Sequence, residues 1–247
     1  MKPWPYARWI AHRGAGLQAP ENTLAAFKLG AHKGFRMFEC DAKLSADGVV
    51  FLMHDATLER TTNGQGLAGD WAWPELAALD AGSWHSPAYA GEPVGRLRDV
   101  ARWLLSRGLM LNIEMKPTAG QEIETGAQVA REAAQLWADA SIWPLLTSFQ
   151  TASLEAAARI APHLPRGLLL SEWRDDVFEV LSQHRHSALI CQHELWTHAR
   201  TQEAARRGIW RLSYTVNDPA VADRLWQWGH EALITDAIDV FHPQQAD

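Results

Sequence analysis

The chain has 247 residues, of which 47% are hydrophobic and 21% are charged, and its formal net charge is −6. These values are those of an ordinary globular protein with enough apolar material for a sizeable core. Nucleic acid is not an expected partner, because the net charge is negative and the sequence contains no basic run. No apolar run approaches the roughly 18 residues of a membrane span. The first six residues do not resemble a signal peptide, and Cys40 and Cys191 form no CxxC pair, so we expect a cytoplasmic protein.

Short apolar segments alternate with Ala-rich amphipathic segments along most of the chain. Strands are predicted at residues 9–12, 37–44, 49–53, 111–116, 145–148, 167–170, 188–191, 210–215 and 232–235. Amphipathic helices are predicted between most of them, for example at residues 123–137, 151–160 and 199–207. Alternation of this kind predicts a parallel sheet.

The connection between the second and third predicted strands is too short for a parallel crossover, since residues 45–48 must span it. An Asp-Gly pair between two strands is typical of a hairpin. The third strand is therefore predicted to run antiparallel to the second, with Leu44 opposite Val49 and Glu39 opposite His54. The other eight strands can close a TIM-type (β/α)8 barrel, for which a length of about 250 residues is usual.

Residues 56–96 break the alternation, because they contain Gly, Trp and Pro with little strand or helix periodicity. A connection of this length inside a compact domain usually has a function. We expect a small inserted subdomain at the mouth of the barrel, within one domain that spans residues 1–247. The alternative is a mobile surface excursion.

Three acidic side chains are predicted to point into the barrel. Glu39 and Asp41 lie at positions i and i+2 of one strand and share a face, while Cys40 points the other way. Glu114 lies near the carboxyl end of another strand, where barrel enzymes carry their chemistry. Neighbouring carboxylates repel one another unless a cation lies between them, and oxygen ligands favour Mg²⁺, Mn²⁺ or Ca²⁺. The alternative is a salt-bridged polar layer inside the barrel.

Two histidines are predicted at the same mouth. His12 ends the first strand, and His54 ends the returning arm of the hairpin. Either one alone is more often a hydrogen-bonded core residue, but a pair beside three carboxylates favours general acid/base chemistry. Arg13 and Lys116 add fixed positive charge of the kind that a phosphate requires.

Other side chains near the mouth allow two interpretations each. Phe149 and Tyr214 form an apolar wall or serve only in packing. Asn22 or Thr23 is predicted to cap the first helix. Glu21 either orients a neighbouring arginine or histidine, or compensates the helix dipole.

Eight short motifs occur in a characteristic order. They are His12-Arg13-Gly14, Pro20-Glu21-Asn22-Thr23, Glu39-x-Asp41, His54-Asp55, Arg60-Thr61-Thr62-Asn63-Gly64, Asn112-Ile113-Glu114-x-Lys116, Thr215-Val216-Asn217 and Thr235-Asp236. In order and spacing they resemble the glycerophosphodiester phosphodiesterases, over residues 9 to about 243. Segments 41–47, 80–84 and 235–239 are similar in particular to bacterial cytosolic members encoded with the glycerol-3-phosphate uptake system. Many members carry Trp where this chain has Tyr214, which bears on the apolar wall and the breadth of substrates.

The resemblance implies a barrel of the phospholipase-C-like phosphodiesterase type with an insertion after the second strand, which helps to shape the substrate cleft. It implies one divalent cation, for which Mg²⁺ is the first expectation and Ca²⁺, Mn²⁺ and Co²⁺ are alternatives. The implied site residues are the metal ligands Glu39, Asp41 and Glu114, the acid/base pair His12 and His54, and the phosphate binders Arg13 and Lys116.

The implied reaction is hydrolysis of a glycerophosphodiester, such as glycerophosphocholine or glycerophosphoethanolamine, to sn-glycerol 3-phosphate and an alcohol. Such a reaction belongs to glycerophospholipid and glycerol metabolism, and a monomer or a homodimer could perform it. A glycosidase is a rival, because 13 tryptophans suit sugar stacking. That chemistry needs only two carboxylates and has no use for the cations. A silent barrel that binds a phosphorylated ligand is a second rival, but it needs no acid/base pair.

Overall fold

The computed structural model describes residues 3–243, so the two ends of the predicted domain, 1–2 and 244–247, lie outside the described residues. The strands are β1 (Trp9–Ala11), β2 (Met37–Leu44), β3 (Val50–Leu52), β4 (Met110–Met115), β5 (Leu145–Ser148), β6 (Arg166–Leu170), β7 (Ala188–Gln192), β8 (Trp210–Tyr214) and β9 (Ala232–Thr235). The α-helices are α1 (Leu24–His32), α2 (Trp73–Leu76), α3 (Leu97–Leu105), α4 (Glu122–Leu136), α5 (Thr151–Ile160), α6 (Val177–Gln183), α7 (His198–Arg206) and α8 (Pro219–Gln227).

Within residues 3–243, eight parallel strands form a closed ring, because β1 pairs with both β2 and β9. The antiparallel β3 pairs with β2 outside this ring. The prediction of a TIM-type barrel is therefore confirmed. No helix in this part of the chain combines the length and the apolar character that a membrane crossing requires.

Alternation along β2 separates two environments. Phe38 and Cys40 belong to the large apolar core, which lies between the barrel and its helices. Met37 belongs to a second apolar cluster that the inward-facing residues of other strands complete. Because side chains on a strand alternate, Glu39 and Asp41 share the inward face with Met37. The interior is thus apolar towards the amino-terminal ends of the strands and charged towards their carboxyl ends.

The predicted register of the hairpin is wrong by one residue. Leu44 pairs with Val50 rather than Val49, and the amide of Met53 donates to the carbonyl of Asp41 at 2.9 Å. The cause is the turn: Ser45 and Val49 close a loop of three residues, and its last residue, Gly48, has φ 79°. Such a loop ends in a left-handed residue that glycine adopts without strain. Glu39 therefore does not face His54, which lies beyond the last ladder pair.

Residues 53–96, which connect β3 to α3, pack with Phe51 of β3 around a separate apolar cluster. The cluster consists of Phe51, Met53, Leu58, Ala68, Leu76, Ala81 and Val94. Two isolated antiparallel bridges, Thr57 with Leu67 and Asp80 with Pro93, tie the segment together. Residues 53–96 therefore hold buried apolar contacts and the short helix α2.

A buried histidine after α8 should make the fold sensitive to acid. His230 is 3% exposed, its Nδ1 lies 3.0 Å from the carbonyl oxygen of Leu225, and burial lowers its pKa to about 3. The unfolded chain, with a histidine pKa of about 6.5, binds the proton more tightly. The stability contributed by His230 is therefore complete above pH 6.5 and is lost as the pH falls towards the folded-state pKa.

We expect His230→Asn, which retains a nitrogen donor near Nδ1, to reduce the loss of unfolding free energy between pH 7 and pH 5 by about 2 kcal/mol. Urea unfolding at the two pH values measures this difference. His198→Asn, at an exposed position, is the control and should retain the wild-type pH dependence. An identical pH dependence in His230→Asn and the wild type would contradict the assignment.

Candidate active site

Three carboxylates converge at the carboxyl ends of β2 and β4. The parallel register sets Asp41 beside Glu114 and Glu39 beside Asn112. One ligand oxygen from each of Glu39, Asp41 and Glu114 lies within 4.8 Å of the other two. Glu39 is 3% exposed and Asp41 is 1% exposed. The structure thus brings the three predicted ligands together in a place where their negative charges are poorly solvated.

The ionisation of these carboxyls reflects their surroundings. Burial, together with the charge of Asp41, raises the pKa of Glu39 to about 8. Burial would also raise the pKa of Asp41, but Arg13 and Lys116 outweigh it and hold that pKa below its usual value. Among residues 3–243, the buried Oε1 of Glu39 has no hydrogen-bond partner. This set of oxygens suits a cation better than it suits protein donors.

Two cations border the cluster. The backbone amide of Arg13 donates to Glu39 Oε2 at 3.0 Å, and its Nε lies 3.3 Å from Asp41 Oδ2. Lys116 Nζ lies 3.0 Å from Glu114 Oε1 and 3.6 Å from Asp41 Oδ1. Arg13 has φ 50°, a left-handed conformation that a non-glycine residue adopts at a cost of about 1 kcal/mol or more. Three carboxylates against two cations leave room for further positive charge.

His12 is fixed by a carboxylate from the last strand. Its Nδ1 lies 2.7 Å from Asp236 Oδ1, and its Nε2 lies 3.7 Å from Glu39 Oε2. Burial would lower the pKa of His12, but the hydrogen bond to Asp236 and the charge of Glu39 raise it overall. Asn217 holds Asp236 in turn, because its Oδ1 accepts from the Asp236 amide at 2.9 Å. A Cβ at Gly16 would lie 2.1 Å from the Asp236 carbonyl oxygen, so only glycine allows this approach.

His54 has a comparable partner. Its Nδ1 lies 2.7 Å from Asp55 Oδ1, and burial lowers its pKa. Arg60 donates to Asp55 Oδ2 at 2.5 Å and to Glu21 Oε2 at 2.7 Å. Glu21 also accepts from Arg13 Nη1 at 2.9 Å. Of the two interpretations of Glu21, the structure supports the orienting one, since its carboxylate connects two arginines.

The two histidines open onto one cavity of about 160 Å³. Its lining residues are His12, Arg13, Glu39, His54, Asn112, Glu114, Lys116, Phe149, Leu169, Tyr214, Thr215 and Ile234. The rings of Phe149 and Tyr214 meet edge to face at 6.0 Å, and the Tyr214 hydroxyl donates to the Leu170 carbonyl at 2.9 Å. Eight of the nine predicted site residues line this cavity, and the ninth, Asp41, contacts Arg13 and Lys116 in its wall.

Asn22 and Lys43 also contribute to the site, and neither contribution was predicted. Asn22 was interpreted as a possible helix cap, but the cap is Thr23. Asn22 instead donates from Nδ2 to Asp41 Oδ2 at 2.8 Å and accepts at Oδ1 from the Asp41 amide at 3.1 Å. Lys43 continues the inward face of β2, donates to the Lys116 carbonyl at 3.0 Å, and has a pKa lowered by burial to about 8. The alternation that located Glu39 and Asp41 could also have located Lys43.

Comparison with known proteins gives consistent matches. The model of the glycerophosphoryl diester phosphodiesterase family matches residues 12–240. A glycerophosphodiester phosphodiesterase of Caldanaerobacter subterraneus subsp. tengcongensis is 36% identical over 233 residues, which cover 92% of this chain and 93% of that protein. A glycerophosphodiester phosphodiesterase of Bacillus subtilis is 27% identical over 248 residues, which cover 94% of this chain and 84% of that protein.

Solved structures agree with the sequence matches. An Oleispira antarctica phosphodiesterase, in complex with the product sn-glycerol-3-phosphate, has a TM-score of 0.90 at 30% identity and covers 98% of each chain. The glycerophosphodiester phosphodiesterase of Agrobacterium tumefaciens has a TM-score of 0.76 at 29% identity, over 96% of this chain and 99% of that one. With the barrel and the arrangement at its mouth, these matches show that the chain belongs to the glycerophosphodiester phosphodiesterase family and is an enzyme of that kind.

Proposed function

We propose that the protein hydrolyses glycerophosphodiesters such as glycerophosphocholine and glycerophosphoethanolamine to sn-glycerol 3-phosphate and an alcohol, with a divalent cation and histidine acid/base catalysis. The main support is that His12 and His54, each bonded to a carboxylate, open onto the cavity that Glu39 and Glu114 also line. The similar Oleispira antarctica enzyme, which was solved with sn-glycerol-3-phosphate, supports this product.

The carboxylate cluster fits a divalent cation. Glu39, Asp41 and Glu114 offer oxygens within 4.8 Å of one another, and Glu39 Oε1 is buried without a hydrogen-bond partner among the described residues. An all-oxygen set favours Mg²⁺, which we propose, with Ca²⁺, Mn²⁺ and Co²⁺ as alternatives. When bound, the cation would supply Lewis-acid polarisation of a phosphate oxygen.

Arg13 and Lys116 are the proposed phosphate binders. Both line the cavity, and their present carboxylate contacts place their positive charges at its wall. A phosphodiester that enters the cavity would accept hydrogen bonds from them as negative charge moves onto its oxygens. Charges that are already in position stabilise the transition state without a reorganisation cost.

The two histidines are the proposed proton carriers. Since Nδ1 of each is bonded to a carboxylate, Nε2 is the nitrogen left to face the substrate. One imidazole would take the proton from the attacking oxygen, which belongs to water or to a neighbouring glycerol hydroxyl. The other would give a proton to the departing alkoxide, a poor leaving group without it. If the glycerol hydroxyl attacks, this step yields a cyclic phosphate, which water would then open to sn-glycerol 3-phosphate.

The surroundings of the cavity have proposed roles as well. Phe149 and Tyr214 would contact the apolar edge of the substrate, because the Tyr214 hydroxyl already donates to a backbone carbonyl. Residues 56–96 would shape the cleft as part of one domain spanning residues 1–247. A cytoplasmic location is supported by two free, buried cysteines, which are ordinary in a reducing compartment.

A coupled assay tests this proposal. Release of glycerol 3-phosphate from glycerophosphocholine and from glycerophosphoethanolamine is followed with Mg²⁺, with excess chelator, and with Mg²⁺ added back. We expect release only when the cation is present. Release of free sugar from a glycoside, or binding without turnover, would instead favour one of the two rivals.

Asp236 and Asp55, whose carboxylates contact Nδ1 of His12 and His54, should affect the rate because they orient the two imidazole rings. We expect Asp236→Asn or Asp55→Asn to lower kcat by about 10- to 100-fold and to change the pH–rate profile, because Nδ1 loses its charged partner. The melting temperature should remain near that of the wild type. Asp239→Asn, at an exposed position, is the matched control, and an unaltered pH–rate profile in Asp236→Asn would refute the orienting role.

A further inference from the structure

A second cavity lies at the other end of the barrel. It has a volume of about 400 Å³ and is lined by residues that precede or begin β1, β5, β6, β7 and β8. In a parallel barrel these amino-terminal ends are remote from the carboxyl ends that carry the active site. The five residues that matter most are Trp143, His163, Arg166, Arg185 and Tyr6. Nothing in the proposed reaction uses them.

Arg166 is a buried cation without a counterion. It is 6% exposed, and its Nη1 donates to the carbonyl oxygens of Pro162 and Leu164 at 3.3 Å and 2.8 Å. Its Nε is buried without a partner, and within residues 3–243 no ion pair joins it to a carboxylate. Burial accordingly lowers the pKa of Arg166. A buried charge is costly unless it is paired. The guanidinium of Arg166 therefore favours the binding of an anionic ligand.

The described lining of the cavity adds a second arginine to Arg166. Arg185 lines the same cavity and has a left-handed backbone with φ 53°. The next residue, His186, is buried, and burial together with the charge of Arg166 lowers its pKa to about 4. Neither ring nitrogen of His186 has a hydrogen-bond partner in the described part of the chain. No aspartate or glutamate of the described residues lines the cavity.

Aromatic side chains supply the apolar part of the cavity. Trp143 is 41% exposed, and its ring meets that of His163 at 4.9 Å and an angle of 75°. Tyr6 and Trp210 meet edge to face at 6.2 Å. An exposed indole that lies in a concave site offers a flat surface on which a ligand ring can stack. The lining of the cavity therefore combines two arginines with aromatic residues.

We propose that this cavity is a second ligand site, which binds a small phosphate monoester with a planar ring. The phosphoryl oxygens would accept hydrogen bonds from Arg166 and Arg185, and the ring would lie against Trp143. The fork of a guanidinium matches the geometry of a phosphate. Two such groups match the double negative charge of a monoester better than the single charge of a carboxylate.

Isothermal titration with phenyl phosphate tests the proposal, and the active-site variant Lys116→Met separates the two sites. We expect saturable binding that persists in Lys116→Met and weakens by about 10-fold or more in Arg166→Met and Arg185→Met. Trp143→Ala should weaken it by several-fold. Inorganic phosphate and benzoate should each bind at least about 10-fold more weakly than phenyl phosphate, because each lacks one of the two recognised groups.

Arg166 also anchors two backbone carbonyls, so Arg166→Met could fail to fold. Arg185 and Trp143 are exposed, and their variants, checked by circular dichroism and melting temperature, decide the outcome by themselves. Unchanged affinity in Arg185→Met and Trp143→Ala, loss of binding in Lys116→Met, or equal affinity for benzoate would each overturn the proposal. Arg185→Met should hydrolyse glycerophosphocholine at the wild-type rate, so a failure here is distinct from a failure of the proposed function.

Discussion

His12→Ala and His54→Ala are each expected to lower kcat by at least about 100-fold and to leave the fold intact. Both imidazoles line the active-site cavity, and each is bonded through Nδ1 to a carboxylate. Their removal therefore takes away a positioned proton carrier rather than a piece of the apolar core. Steady-state release of glycerol 3-phosphate from glycerophosphocholine measures the loss, and circular dichroism with thermal melting checks the fold.

The control for this experiment is His198→Ala, which removes an exposed imidazole from α7 and should leave kcat unchanged. Added imidazole should restore part of the activity of His12→Ala or His54→Ala, because it can enter the space that the side chain vacates. Near-normal turnover in either alanine variant would remove that histidine from the mechanism. A loss of activity that coincides with unfolding would show a structural role instead.

Removal of the divalent cation should have an effect of similar size. We expect excess chelator to abolish turnover and Mg²⁺ to restore it, because Glu39, Asp41 and Glu114 converge within 4.8 Å. Binding to the folded state alone also raises stability by about 2.7 kcal/mol at a concentration 100 times the dissociation constant. For a domain of this size that corresponds to a rise in melting temperature of about 5–10 °C. Full activity in excess chelator would rule out the metal site.

Glu39→Gln separates metal binding from general damage to the fold. Glutamine retains an acceptor for the Arg13 amide, which donates to Glu39 Oε2 at 3.0 Å. At pH 9, above the raised pKa of Glu39, it removes one of three mutually repelling charges, so the metal-free variant should melt there at a higher temperature than the metal-free wild type. Its melting temperature should no longer respond to Mg²⁺, and its turnover should be lost. Glu124→Gln, at an exposed position on α4, should behave as the wild type in every measurement.

The second cavity would make this enzyme a protein with two phosphate sites at opposite ends of one barrel. Phenyl phosphate bound beside Arg166 would be distant from the hydrolytic machinery, so the two sites can be disabled separately. Arg185→Met and Lys116→Met form the matched pair for this purpose, since each removes one cation from one cavity.

The convergence of the candidate site residues was largely predictable, because these residues occupy strands or strand ends. Alternation along β2 sets Glu39 and Asp41 on the inward face, and the same rule places Glu114 on β4. His12 and Lys116 follow directly after strands, at the end of the barrel where parallel strands deliver their carboxyl termini. These are local relations between neighbours in the chain, and a sequence displays them directly.

The partners of the site residues were not predictable in the same way. His12 meets Asp236 because closure of the barrel sets β1 beside β9, and the His12 amide bonds to the Thr235 carbonyl at 2.9 Å. Asn22 meets Asp41 across a loop whose backbone has φ 61° at Asn22. Contacts of this kind depend on distances between elements, which spacing along the chain does not define.

By itself, the sequence determined the succession of strands along the chain and the inward faces that carry the carboxylates. It also determined the positions of both histidines and both cations at the barrel mouth. The tertiary structure decided the hairpin register, through the left-handed turn at Gly48, and the carboxylate that each histidine contacts. The tertiary structure also creates the second cavity, which the amino-terminal ends of five strands enclose around Arg166. The physical reason is that periodicity sets the direction of a side chain within its own element, whereas closure of the barrel sets which side chains of distant elements meet.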